Sequence, residues 1–138
     1  MKECKQWIMI DYKLDNLNDI IKHSRANGKY ANKRKQKEME VVGYFINKLK
    51  PVKNYPITLN CEWHIKTITS DLDNKVLKSV LDQMQKNGII ENDNIKYINE
   101  INNKAVKDNR DYLELEIIER DDVYGNQTER TTRPNNNN

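Results

Sequence analysis

Cysteine is scarce in this 138-residue chain, with Cys4 and Cys61 the two present. Two cysteines cannot build a disulfide framework, and no Cys/His cluster has zinc-ligand spacing. Proline (3) and glycine (4) are also few, which excludes collagen-like and Pro-rich low-complexity classes. The glycines are scattered and none opens a Walker or Rossmann motif, so nucleotide hydrolysis is not expected. No apolar run approaches the roughly 18 residues of a membrane helix. The opening stretch MKECKQWIMIDYKLD carries charges throughout and lacks a signal peptide's apolar region. A soluble chain in a reducing, cytoplasmic setting is expected, with length for one core.

Charge is abundant, at 33% of residues, and unevenly placed. Between Lys22 and Lys37 lie Lys22, Arg25, Lys29, Lys33, Arg34, Lys35 and Lys37, with no acidic residue among them. Without those seven, the formal charge of +3 becomes −4 for the rest of the chain. A basic segment on an acidic body points to an anionic partner, nucleic acid being the commonest. A solvated helix face would look the same.

The hydrophobic pattern alternates between strand and helix periods. Gln6–Leu14 is a short apolar run that reads as a buried strand, with Trp7 as a core anchor. A short helix through Leu17, Ile20 and Ile21 follows Asp15 or Asn16 and is punctuated by Gly28. A longer helix is expected from Tyr30 or Lys33 to Leu49, with Met39, Val42, Phe45, Ile46 and Leu49 on its apolar stripe and Pro51 beyond. Ile57, Leu59, Cys61, Trp63 and Ile65 alternate with polar residues, the clearest strand in the chain. This places Cys61 and Trp63 in the core and turns His64 to the other face, where it lacks an evident partner at ligand spacing.

Helical spacing returns over Asp73–Lys86, and Asn87-Gly88 supplies a left-handed cap. Ile95–Val106 and Tyr112–Glu119 read as strands joined by a hairpin turn at Asp108–Asp111. The expected fold is α/β: about four strands in a small mixed sheet, about three helices, and one domain over residues 1–120. Residues 121–138, ending in four asparagines, read as a disordered tail.

Residues 70–94 carry the candidate chemistry. In SDLDN, Asp71 and Asp73 are two apart and present their carboxylates on one side of an extended backbone. A strand–helix–strand unit would return Asp93, in Asn92-Asp93-Asn94, toward them. Converging carboxylates repel unless a hard cation sits among them, and Mg²⁺ takes oxygen ligands and phosphate together. Such ions orient a water for in-line attack on a phosphodiester. Aspartates also cap helices and form turns, so the same residues have a purely structural reading. Lys78, with Lys75 as a rival, lies on the polar face of the helix, four residues before Asp82.

The stretch SDLDNKVLKSVLDQMQKNGIIENDN resembles the signature of the RusA-type Holliday junction resolvases, a phage and prophage family. The upstream LDNLNDIIKHSRANGKYANKRKQKEME is similar to that family's N-terminal part, and the two together cover most of residues 8–119. The resemblance implies that Asp71, Asp73 and Asp93 hold Mg²⁺, for which Mn²⁺ may stand in, and that Lys78 assists. Two departures stand out: the acidic pair is Asn92-Asp93, and the lysine lies one residue further from DxDN.

The resemblance implies paired nicking of four-way DNA junctions by a homodimer, leaving 5′-phosphates. Lys29, Lys33, Arg34, Lys35 and Lys37 would hold the DNA backbone without reading sequence. Alternatives are a junction-binding protein without catalysis, a nuclease of flaps or forks, and an interaction protein whose basic helix meets an acidic partner.

Overall fold

The computed structural model describes residues 3–120 apart from 27, 68 and 70. The elements are β1 (Glu3–Ile10), α1 (Leu17–Ala26), α2 (Gly28–Ile46), β2 (Ile57–Ile65), a 3₁₀ turn (Leu72–Asn74), α3 (Lys78–Lys86), β3 (Ile98–Lys107) and β4 (Tyr112–Arg120). The strands form one mixed sheet in the order β1-β4-β2-β3. β2 runs parallel to β3, and β4 runs antiparallel to both β1 and β2. The expected α/β domain is therefore present. The tail after Arg120 lies outside the described residues. No described helix is long and apolar enough to cross a membrane.

The expected hairpin between β3 and β4 does not form, because β4 inserts between β1 and β2. Burial explains the choice. Leu113, Leu115 and Ile117 of β4 are almost fully buried, whereas Ile98 is the one buried residue of β3. A strand with an apolar face belongs at the centre, and the asparagine- and lysine-bearing β3 belongs at an edge. The Asp108–Asp111 connection passes over the end of β2, a step of about 10 Å across two strand spacings. Asp108 N–H donates to the Ile65 carbonyl at 3.0 Å, and Lys66 N–H donates to Asp111 Oδ1 at 3.1 Å.

α2 and α3 cover one face of the sheet, and α1 packs against α2. Ile8, Ile10, Leu59, Trp63, Leu113 and Leu115 meet Val42 and Ile46 of α2 and Val80 and Met84 of α3 in a single core. α2 and α3 approach closely at Gly43, where a Cβ would stand 2.6 Å from Gln83 Oε1. α2 ends at Ile46, and Leu49 is buried from the turn beyond it. α3 starts at Lys78 and not at Asp73, since the chain takes an extended step at Lys75 (φ −77°, ψ 130°). That step lets Leu77 pack against the core. Gly88 ends α3's C-terminal turn at φ +73°, the left-handed conformation glycine accepts freely.

No helix among the described residues covers the other face of the sheet. Trp7 lies there, 58% exposed, because its parity on β1 is opposite to that of buried Ile8 and Ile10. It is not the core anchor the sequence suggested. Trp63 is: it is 5% exposed, and its indole N–H donates to Asn103 Oδ1 at 2.9 Å.

Candidate functional site

The DxDN segment leaves β2, forms the 3₁₀ turn and leads into α3. Asp71 stands at the N-terminal cap of that turn in extended backbone (φ −89°, ψ 133°) without a side-chain capping bond. Asp71 and Asp73 are both exposed, and no described residue hydrogen-bonds or ion-pairs with either carboxylate. The purely structural reading of these two as helix caps therefore finds no support in their contacts. Asn74 is half-buried.

Asp93 lies in the connection that enters β3 at Ile98. Asn92 Oδ1 accepts the N–H groups of Asp93 (2.7 Å) and Asn94 (3.3 Å), and Asn94 Oδ1 accepts that of Lys96 at 2.9 Å. The flanking asparagines thus hold the turn, while the Asp93 side chain stays exposed. The 3₁₀ turn follows the end of β2 and packs against β3, with Lys75 just beyond it over Trp63, whereas Asp93 precedes the start of β3. Because β2 and β3 run parallel, Asp93 stands toward the opposite end of the edge strand from Asp71 and Asp73. They are not gathered into a tight cluster: among the described residues, the group of three ligand atoms within 4.8 Å of one another is Glu62, His64 and Glu114. The return of Asp93 to Asp71 and Asp73 at metal-bridging distance is thus not found.

Lys78 opens α3 and is well exposed, with Nζ 3.7 Å from Asp82 Oδ2. Lys75 points another way, its Nζ 6.0 Å from the Trp63 ring centroid. Between α3 and the basic helix sits Glu38, which the sequence pattern did not mark. It is 8% exposed, accepts the Asp15 N–H at 2.7 Å and is hydrogen-bonded by the Ser79 hydroxyl. Burial raises its pKa above the ordinary 4.5, and the two hydrogen bonds oppose part of that rise.

The basic segment divides by helix face. Arg34, Glu38, Val42 and Ile46 fall at four-residue spacing on the inward side of α2. Arg34 Nη2 donates to Asp15 Oδ1 at 2.6 Å, so this residue is tied to the fold while its side chain keeps 39% exposure. Lys29, Lys33, Lys35 and Lys37 are exposed. Tyr12 links this helix to the DxDN side: it borders one cleft with Lys33 and Lys37 and another with Lys75 and Trp63. His23 is half-buried. The side chain of Tyr30, a candidate for base stacking, lies outside the described residues.

No protein-family model matches the chain, and no curated protein matches it either. The functional reading therefore stands on the residues.

The sequence reading set His64 aside for want of a partner at ligand spacing, and the structure supplies three carboxylates around it. Its Nε2 lies 2.8 Å from Glu62 Oε2 and 3.5 Å from Glu114 Oε1, and its Nδ1 lies 2.9 Å from Asp108 Oδ2. Glu62 was visible in the sequence as the residue two before His64, on the same strand face. Glu114 was not, because it arrives through the β2–β4 register, opposite Glu62. Burial alone would lower the His64 pKa, but the hydrogen bonds with Asp108 and Glu62 and the Glu114 charge outweigh it and leave the value above 6.5. Asp108 is held below its ordinary range, first by the Asn109 N–H and then by His64 and the Tyr112 hydroxyl. Cys61 is buried and its thiol is pushed up to about 12, so it is no nucleophile.

Proposed function

We propose that this chain is a Mg²⁺-dependent endodeoxyribonuclease of the RusA type, which resolves four-way DNA junctions as a homodimer. The observation that carries the reading is the pair of exposed carboxylates, Asp71 and Asp73, on the turn before α3, which no side chain among the described residues pairs with. Their side of the fold connects through Lys75 and Tyr12 to the exposed lysines of α2. Exposed acids on a fold that also carries a basic helix face suit a site that meets a phosphate through a cation.

The donor set fits Mg²⁺. Carboxylate oxygens open to water are hard ligands, and Mg²⁺ is commonly held by one or two carboxylates with substrate phosphate and waters completing its shell. Asp71 and Asp73 would hold it without Asp93, which precedes the other end of β3. When bound, the ion supplies charge neutralisation at the phosphate and a water activated for in-line attack. Lys78 would offset charge developing on the phosphate. Lys29, Lys33, Lys35 and Lys37 would hold the backbone of the DNA arms.

A second reading, a junction-binding protein without catalysis, is favoured by the separation of Asp93 from a three-carboxylate cluster. One experiment separates the two. A labelled four-way junction and a linear duplex of matching sequence are incubated with the protein in Mg²⁺, Mn²⁺ or EDTA. Paired nicks on the junction alone are expected, lost in EDTA and reduced about a hundredfold or more in Asp71→Asn and Asp73→Asn. Undiminished cleavage by Asp73→Asn would overturn the site. Tight junction binding without cleavage in either metal would establish the binder, and equal cleavage of flaps or duplex would remove the junction preference.

A further inference from the structure

The sheet face opposite α2 and α3 carries a side-chain arrangement that the nuclease reading does not use. Glu62 and His64 are two apart on β2, and Glu114 is the β4 residue opposite Glu62. The three are thus set by strand register and not by loops, which gives them fixed relative positions. One ligand atom from each lies within 4.8 Å of the others.

The outer contacts orient the imidazole. His64 Nδ1 meets Asp108 Oδ2 at 2.9 Å, and the same oxygen accepts the Tyr112 hydroxyl at 3.0 Å. Asp108 Oδ1 accepts the Asn109 N–H at 2.6 Å, so the carboxylate is held on both oxygens. The Tyr112 ring stacks on His64 with centroids 4.1 Å apart and planes 10° from parallel. The His64 side chain is only 10% exposed. A carboxylate on Nδ1 fixes that nitrogen as a donor and sets the ring's orientation, the arrangement found behind metal-bound histidines, and leaves Nε2 as the atom whose proton a metal ion would replace. Here Nε2 faces two carboxylates.

Charge points the same way. Glu62, Glu114 and Asp108 place three carboxylates around one imidazole, with Lys104 Nζ 3.9 Å from Glu62 Oε1. A proton on Nε2 offsets one of those charges, whereas a dication there offsets two. A nitrogen donor with two oxygens suits Zn²⁺ and its neighbours Co²⁺ and Ni²⁺, while Mg²⁺ prefers oxygen alone.

We propose that Glu62, His64 and Glu114 form a divalent transition-metal site, with Zn²⁺ as its natural class of ligand and Asp108 as the residue that positions His64. The site lies on β2 and β4 and shares no residue with the Asp71–Asp73–Asp93 set. Three protein ligands leave a coordination position for water or for a donor from a bound molecule.

The test uses the full chain, stripped with a chelator and titrated with ZnCl₂ in excess Mg²⁺ by calorimetry, and with CoCl₂ by visible absorption. One Zn²⁺ per chain is expected, with a Co²⁺ spectrum of low-coordinate N/O type. Glu114→Gln and His64→Gln should each weaken Zn²⁺ binding at least about a hundredfold, and Asp108→Asn by about 10–100-fold. Asp71→Asn and Asp73→Asn should leave it unchanged. Circular dichroism checks each variant. If His64→Gln does not fold, near-isosteric Glu114→Gln and the Co²⁺ spectrum of the wild type decide. Absence of Zn²⁺ binding, binding undiminished in Glu114→Gln, or loss in Asp73→Asn would each overturn the assignment. Junction nicking is read separately, so failure there leaves this result standing.

Discussion

The Ser79 hydroxyl donates to Glu38 Oε2 across 41 residues of sequence, joining α3 to the basic helix one residue beyond Lys78. Glu38 also receives the Asp15 N–H, so one buried carboxylate ties together the starts of α1 and α3 and the middle of α2. Any role of Lys78 depends on this junction for its placement.

A pH dependence follows from Glu38. Burial raises its pKa above 4.5, so the folded chain holds the proton more tightly than the unfolded chain. The resulting stabilisation is complete below about pH 4.5 and is lost as pH rises through the folded value. Glu38→Gln does not titrate. In urea unfolding, the wild type should lose ground to this variant as pH rises above about 4.5. A difference that stays constant with pH would contradict the assignment.

The lysines of α2 and Arg34 should part company. Lys33→Ala and Lys37→Ala are expected to weaken DNA binding similarly for all sequences and to lower the salt slope by about one each. Arg34→Ala removes the 2.6 Å ion pair with half-buried Asp15. It should lower stability by about 1–3 kcal/mol, because Asp15 is left without its cation. Fluorescence anisotropy across a salt series and thermal melts distinguish the two effects.

Lys75 and Lys78 can be told apart by what each touches. The Lys78–Asp82 pair is an exposed i,i+4 contact, so Lys78→Ala should change stability by only about 0.5 kcal/mol or less. If Lys78 assists catalysis, the same variant should lower the nicking rate at saturating junction by about tenfold or more. Lys75→Ala should instead alter Trp63 fluorescence, given the cation over that ring. A rate loss confined to Lys75→Ala would reassign the assisting lysine.

The two cysteines should differ in reactivity. Cys4 is exposed, and Cys61 is buried with its thiol pushed up to about 12. A disulfide reagent is expected to modify one thiol in the native chain and the second only after denaturation. Two rapidly reacting thiols would show that the sheet opens around Cys61.

Local periodicity is what the sequence determined by itself. The alternation from Ile57 to Ile65 requires a half-buried strand, and the Val42–Ile46 stripe requires a helix facing a core. Gly88 marks a left-handed cap for a reason internal to one residue. DxDN was legible as a candidate because its acids are adjacent in sequence. What the tertiary structure decided concerns partners far apart along the chain. The Asp108–Asp111 segment fits a hairpin or a step over β2 equally well by length, and burial of Leu113, Leu115 and Ile117 decides for the step. That choice in turn sets Glu114 opposite Glu62 and assembles the His64 cluster. It also leaves Trp7 beside Glu116 on the open face. Strand order depends on how much apolar surface each arrangement buries over the whole sheet, a sum that no local window of residues contains.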